Sequence, residues 1–240
     1  MYDFIKLKED LIKYNLELTD EKIDKLNRYY EMLVEKNKVM NLTAITEFDE
    51  VLLKHFLDSL SICQVYDLSS QKKVIDVGTG AGLPGLVLAI VFDNSEFTLT
   101  DSLLKRLKFI DEVVSELNLL NVKTIHGRAE DLGHQKVLRE TFDLCVSRAV
   151  ANLSTLCEYT IPFVKVGGKL ISYKSGDIDT ELSEAISAIK LLGGENKELF
   201  KFSLSDTDIL RSFVIIEKIK STSKNYPRKA GMPSKEPLRG

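Results

Sequence analysis

The stretch Asp76-Val77-Gly78-Thr79-Gly80-Ala81-Gly82 decides the fold. It follows the apolar, strand-like run Lys73-Val74-Ile75 and leads into Leu83-Pro84-Gly85, where a helix can begin with proline in its first position. Glycines at alternate positions let the backbone turn tightly with no Cβ in the way, so a ligand can lie against it. Asp76, two positions before the first glycine, discriminates between ligands. A dinucleotide site aims helix N-terminal dipoles at a pyrophosphate, which a carboxylate at that point would repel. S-adenosylmethionine carries an ammonium and a sulfonium and no phosphate, so the same carboxylate favours it and points to methyl transfer.

A second feature lies at a fixed distance. Glu96-Phe-Thr-Leu-Thr100 alternates like a strand and ends at Asp101, 23 residues after Gly78. An acidic residue about 20 positions on meets ribose hydroxyls in nucleotide-binding βαβ units. Gly78, Gly80 and Asp101 are therefore expected to line a site for a nucleoside-containing cofactor.

Periodicity extends outward from this unit. Towards the N-terminus, Thr19 can cap a helix that buries Ile23, Leu26, Tyr30 and Leu33. A second helix, expected to start at Thr46 with Asp49 completing a capping box, buries Leu52, Leu53, Phe56 and Leu60. Residues 1–65 read as a helical extension covering one sheet face. From Lys72 strands and helices alternate: Val74–Val77, Pro84–Val91, Glu96–Asp101, a helix after Ser102 and Val122–His126. A polar turn over 127–131, strand Phe142–Ser147, a helix expected to stop at Gly167-Gly168, and strand Lys169–Tyr173 follow. Such alternation predicts a parallel sheet with helices on both faces. After a helix around Ile178–Leu192, two strand-like runs, Glu198–Leu204 and Phe213–Ile219, have no helix between them and should pair as an antiparallel hairpin at the sheet edge. The pattern predicts an α/β fold of the class I S-adenosylmethionine-dependent methyltransferase type: Rossmann-like, a mostly parallel seven-stranded sheet ending in that hairpin. The methyltransferase domain is expected over 66–220, with a basic segment over 221–240.

Composition narrows the function classes. No run of about 18 apolar residues exists to span a membrane, and Met1-Tyr-Asp-Phe-Ile-Lys lacks a basic stretch followed by an apolar one, so a cytoplasmic location is expected. Cys63, Cys145 and Cys157 have neither CxxC spacing nor paired histidines, so no metal site or disulfide framework is expected. Charge is uneven. Residues 218–240 hold seven Lys or Arg against one Glu, a local +6 that leaves −9 for the rest of a chain whose net charge is −3. Lys224, Arg228 and Lys229 surround Tyr226, an arrangement suited to phosphate pairing with base stacking, and these four are the expected RNA contacts.

Several segments together resemble one family, the bacterial guanine-N7 methyltransferases of small-subunit rRNA, historically termed glucose-inhibited division protein B. They are Asn41-Leu-Thr-Ala-Ile45, His55-Phe-Leu-Asp-Ser-Leu60, Asp76 to Gly85, Asp101-Ser-Leu-Leu-Lys-Arg106, Gly127-Arg-Ala-Glu130, Phe142 to Ala151 and Tyr226-Pro-Arg-Lys-Ala-Gly231. The resemblance covers the chain from about residue 20 onward. It implies S-adenosylmethionine as methyl donor and a guanine N7 in 16S rRNA, at nucleotide 527, as acceptor, with the small ribosomal subunit or its precursor as partner. Leu83 stands where relatives often carry an aromatic residue, so it would pack against the cofactor as an aliphatic group. Tyr173-Lys174-Ser175 lacks a glycine often seen in its third place.

Guanine N7 bears a free lone pair and no proton, so no catalytic base is expected; His55, on an amphipathic helix, reads as a packed histidine. Rate would come from in-line positioning and exclusion of water. Arg148, just beyond a strand end, is expected to face the cofactor pocket and pair with a carboxylate or phosphate. Ala129 and Glu130, after the third strand, are placed for adenine contacts. Three readings stay open on the residues alone. The first is an rRNA methyltransferase. The second is a small-molecule methyltransferase, which needs no basic aromatic tail. The third is a non-catalytic RNA-binding assembly factor, which could lose the glycine loop. A nicotinamide oxidoreductase is disfavoured by Asp76 and the hairpin.

Overall fold

The computed structural model describes residues 2–238. Strands β1 (Lys73–Val77), β2 (Glu96–Asp101), β3 (Val122–His126), β4 (Phe142–Arg148), β5 (Val164–Ser175), β6 (Gly194–Ser203) and β7 (Leu210–Lys218) form one sheet in the order β3-β2-β1-β4-β5-β7-β6. The first five pair in parallel, whereas β7 runs antiparallel to both β5 and β6. The parallel sheet with its edge hairpin thus follows the sequence pattern. The helices are α1 (Phe4–Ile12), α2 (Asp20–Met40), α3 (Phe48–Val51), α4 (Asp58–Leu60), α5 (Gly85–Val91), α6 (Leu104–Glu116), α7 (Ala129–Leu132), α8 (Leu153–Thr160), α9 (Asp179–Leu191) and α10 (Met232–Lys235). None is long and apolar enough to cross a membrane.

Alternation along the strands sorts the core onto two faces. Val74, Leu99, Val146, Ile171 and Ile215 join the N-terminal helices, α5 and α6 in one apolar cluster. Ile75, Val77, Cys145, Leu170 and Val214 join α8 and α9 in the other. The N-terminal helices therefore cover one face, and Thr19 caps α2 by accepting from Lys22 N–H.

Three local expectations are corrected. Thr46 caps nothing: α3 starts after Glu47 without a side-chain cap, and the helix is π-helical over Leu52–Leu57. Asn37 and Thr43 already organise this connector, Asn37 Oδ1 accepting from Leu42 N–H and Thr43 N–H and Thr43 Oγ1 from Ile45 N–H. Gly167-Gly168 does not end a helix but lies inside β5. There the register jumps from Phe142 opposite Val164 to Leu144 opposite Lys169, and a Cβ on Gly168 would sit 2.8 Å from the Asp143 carbonyl. The glycines let the extra residues bulge while the backbone stays against β4. The polar turn over 127–131 contains a helical turn, α7.

Candidate cofactor and acceptor site

Chain order reverses between β1 and β4, the point at which ligands sit outside the carboxyl ends of an open α/β sheet. The glycine loop leaves β1 here. Gly78 and Thr79 both donate to the Thr100 carbonyl, at 2.9 and 3.0 Å, tying the loop to the end of β2. Gly80 (φ +62) has no atom within 4 Å of where a Cβ would lie, so it presents bare backbone to open space. Asp76 sits beneath the loop and is not a cavity wall. Its Oδ2 accepts from Thr79 Oγ1 and Gly85 N–H, both at 2.8 Å, while its buried Oδ1 has no partner. Burial pushes its pKa up to about 6, against the pull of those two hydrogen bonds. A third tie comes from the extension: the buried Tyr29 hydroxyl of α2 donates to the Ala81 carbonyl at 2.7 Å.

Asp101, buried at the tip of β2, braces the loop from the far side. It accepts from Gly80 N–H at 3.0 Å and Leu103 N–H at 2.8 Å, and pairs with the Arg106 guanidinium at 3.3 Å.

Two cavities flank this loop. The larger, of about 780 Å³, is lined by Gly78, Gly80, Leu83 and Arg148, with His55 and Lys174 also facing it. The smaller, of about 170 Å³, is lined by Gly78, Gly127, Ala129, Glu130, Val150 and Tyr159. Gly78 belongs to both, and Val150 packs so closely on it that a Cβ there would meet Val150 Cγ2 at 2.5 Å. The sequence-expected residues therefore fall around one connected region: Gly78, Gly80, Leu83 and Arg148 at the large cavity, Ala129 and Glu130 at the small one, and Asp101 bracing the loop they share.

Arg148 donates to Asp58 Oδ2 at 2.9 Å, and Arg211 donates to Asp58 Oδ1 at 3.0 Å. A buried carboxylate bracketed by two guanidiniums is satisfied on both oxygens and fixes both cations at the cavity wall. Lys174 is held likewise, donating to the Ala151 carbonyl at 2.9 Å and to Glu181 at 2.6 Å. His55 is neutral: burial and the nearby Arg148 charge lower its pKa to about 4. Its Nδ1 lies 3.1 Å from the Lys54 carbonyl and its Nε2 2.9 Å from Thr43 Oγ1. That network assigns the proton to Nδ1, leaving Nε2 to accept from Thr43. Sequence reasoning missed Asp58, Arg211, Tyr29 and Arg106. Asp58 and Arg106 lie within segments that carry the family resemblance; the partners of Asp58 are distant in sequence, whereas that of Arg106, Asp101, is only five residues away.

The basic segment is docked against the rest of the protein. Arg228 offers its backbone N–H, Nε and Nη2 to the Glu158 carboxylate at 2.7, 3.0 and 2.7 Å. Glu158 is 0% exposed, a charge that α8 could not bury without this partner. Tyr226 is half-buried against the apolar cluster of α8 and α9. Lys224 and Lys229 remain exposed.

Known proteins fit this architecture. Residues 22–210 match the family described as rRNA small subunit methyltransferase G, GidB. The chain is 51% identical over 233 residues to the ribosomal RNA small subunit methyltransferase G of Alkaliphilus oremlandii (strain OhILAs), spanning 97% of this chain and 98% of that one. It is 46% identical to the protein of the same name from Clostridium perfringens (strain 13 / Type A), over the whole of both chains. In fold it is similar to a SAM dependent methyltransferase from Aquifex aeolicus, with a TM-score of 0.54 at 16% identity over 71% of this chain and 94% of that one. It is also similar to M. jannaschii TYW2, solved in complex with AdoMet, with a TM-score of 0.51 at 15% identity over 63% and 71% of the two chains. With a class I methyltransferase sheet, a glycine loop at its switch point and relatives matching from end to end, the chain belongs to the rRNA small subunit methyltransferase G (GidB) family.

Proposed function

We propose that the protein transfers the methyl group of S-adenosylmethionine to the N7 of a guanine in the 16S rRNA of the small ribosomal subunit, at the family's nucleotide 527. The observation that carries this reading is the large cavity. It is lined by the glycine loop and by Lys54, Arg106, Arg148, Lys174 and Arg211, against the carboxylates Asp58 and Glu181, in a chain of net charge −3. A concentration of cations at one opening of an acidic protein suits a polyphosphate acceptor.

The residues present fit the cofactor. Gly78 and Gly80 offer backbone without side chains, and the unpaired Asp76 Oδ1 beneath them favours a cation above the loop. Asp101 is the ribose-binding candidate, and Ala129 and Glu130 are the adenine-side candidates at the small cavity. When bound, the cofactor supplies an electrophilic methyl group on a sulfonium. Guanine N7 would meet that methyl group with a free lone pair, so no side chain would have to take up a proton. The chain accordingly has only to orient the purine and exclude water. Arg148 and Arg211 share the Asp58 carboxylate, which halves the positive charge they set against a purine that becomes positive. His55, with its pKa near 4, stays a neutral hydrogen-bonded wall.

Small subunits from cells lacking the protein test the reading, with S-adenosylmethionine labelled in its methyl group. They should accept one label that digestion recovers as N7-methylguanosine, and subunits from cells possessing the protein should accept almost none. Label entering an exocyclic amine or ribose oxygen, or equal labelling of both preparations, would overturn it.

A further inference from the structure

The C-terminal segment leaves Lys224 and Lys229 exposed, yet many of its backbone groups and Arg228 are bonded to the rest of the protein. Arg139 donates to four carbonyls, those of Thr222, Ser223, Tyr226 and Gly133. His134 Nε2 lies 2.7 Å from the Pro227 carbonyl. Pro227 packs so tightly on Gly133 that a Cβ there would come within 2.9 Å of its Cγ. Further along, Arg228 grips Glu158, Thr155 Oγ1 donates to the Pro233 carbonyl at 2.9 Å, and Ser154 bonds the Leu238 carbonyl. Most of these anchors belong to the connection after α7 or to α8, and α7 and α8 both contribute residues to the small cavity.

The segment holds one side chain lining that cavity and the neighbour of another. Gly231 N–H donates to Glu130 Oε1 at 2.8 Å, and Arg228 holds Glu158, the immediate neighbour of the cavity-lining Tyr159. Gly231 adopts φ +84 with open space around its missing Cβ, so glycine is needed there for the left-handed backbone that aims its N–H at Glu130, not for room. Glu130 is buried and has few rotamers left once this bond forms.

We propose that residues 221–238 form an outer wall of the cofactor's adenine subsite, with Gly231 and Arg228 as positioning residues that fix Glu130 and Tyr159. This rests on the S-adenosylmethionine reading given above. Cofactor affinity then depends on the fraction of molecules with the segment docked, and cofactor in turn favours docking.

The full-length protein tests it by calorimetry with S-adenosylhomocysteine and with 5′-methylthioadenosine, which keeps the adenosine and lacks the amino-acid end. Hydrogen exchange over 222–238 reports docking in the same samples. Arg228→Ala should raise exchange there and weaken both ligands by the same factor, about fivefold or more. Arg228→Lys should recover part of the loss, since an ammonium cannot grip Glu158 in two places. Should Arg228→Ala fail to fold because Glu158 is left unpaired, Gly231→Ala keeps that ion pair and should still weaken both ligands. In the wild type, S-adenosylhomocysteine should slow exchange over 222–238. Released segments with unchanged ligand affinity would overturn the proposal, as would a loss confined to S-adenosylhomocysteine or a loss of RNA affinity alone. A wild type that binds neither ligand would defeat the cofactor reading and this one together, whereas normal wild-type binding with insensitive variants defeats this one only.

Discussion

Asp76 holds the glycine loop with one oxygen and leaves the other unpaired, and its charge state follows from that enclosure. Its folded pKa of about 6 lies above the ordinary 3.8. A raised carboxyl pKa means that ionisation costs stability: the cost is absent below pH 3.8 and complete above pH 6, amounting to about 3 kcal/mol. Asp76→Asn keeps an acceptor for Thr79 and Gly85 and should flatten the fall in Tm between about pH 4 and 6, as calorimetric scans would read. Asp76→Ala orphans two buried donors and should lose about 1–3 kcal/mol instead. A cation bound above the loop would favour the ionised form, so wild-type affinity for S-adenosylmethionine should rise through about pH 6 and that of Asp76→Asn should not. Equal pH dependence in the two would remove Asp76 from cofactor recognition. His55 bears on the chemistry in the opposite way. With its pKa near 4, and with no proton to remove from N7, single-turnover methylation should stay flat between about pH 6.5 and 9. A steep rise abolished by replacing His55 would contradict the mechanism.

Among the elements, α2 does more than cover the sheet, because Tyr29 reaches the Ala81 carbonyl within the glycine loop. Tyr29→Phe removes that donor while keeping the ring stacked near Phe56, and should cost about 1–2 kcal/mol in chemical denaturation. Weaker binding of S-adenosylhomocysteine should accompany it; unchanged affinity would mean that the loop stands without its brace. The Asp58 fork joins the segment after α3 to the ends of β4 and β7. Asp58→Ala leaves two guanidiniums facing each other at the cavity and should lose about 3–5 kcal/mol. Such ties explain what the sequence made legible. Strand–helix alternation, the loop and Asp101 are local patterns, and each appears close to its expected place. Asp58 with Arg211, or Glu158 with Arg228, are pairs separated by 153 and 70 positions, and no periodicity relates them. The same gap hid the docking of the tail, because the buried partner of Arg228 sits in another element. The bulge at Gly167-Gly168 was hidden for a different reason, since a glycine pair after an apolar helix also describes a C-cap.

Over the whole molecule the charge is divided, an acidic body against a basic C-terminal segment and a cation-lined cavity. With Arg228 paired to Glu158, the exposed Lys224 and Lys229 are the expected contacts that remain free for phosphate. Replacing both by Ala should reduce the salt slope of RNA binding by about 1–2 units and leave S-adenosylhomocysteine affinity unchanged. An unaltered slope would assign RNA binding to the cavity cations alone. The account rests in the end on one product at one kind of atom. Chemical cleavage at N7-methylguanine, applied to 16S rRNA from cells with the protein, without it, and without it but expressing an Asp101→Ala variant, tests this most directly. The account predicts a single strand break at one guanine with the wild-type protein, its disappearance without the protein, and a weakened band with the variant. The same cleavage persisting in cells that lack the protein would contradict it.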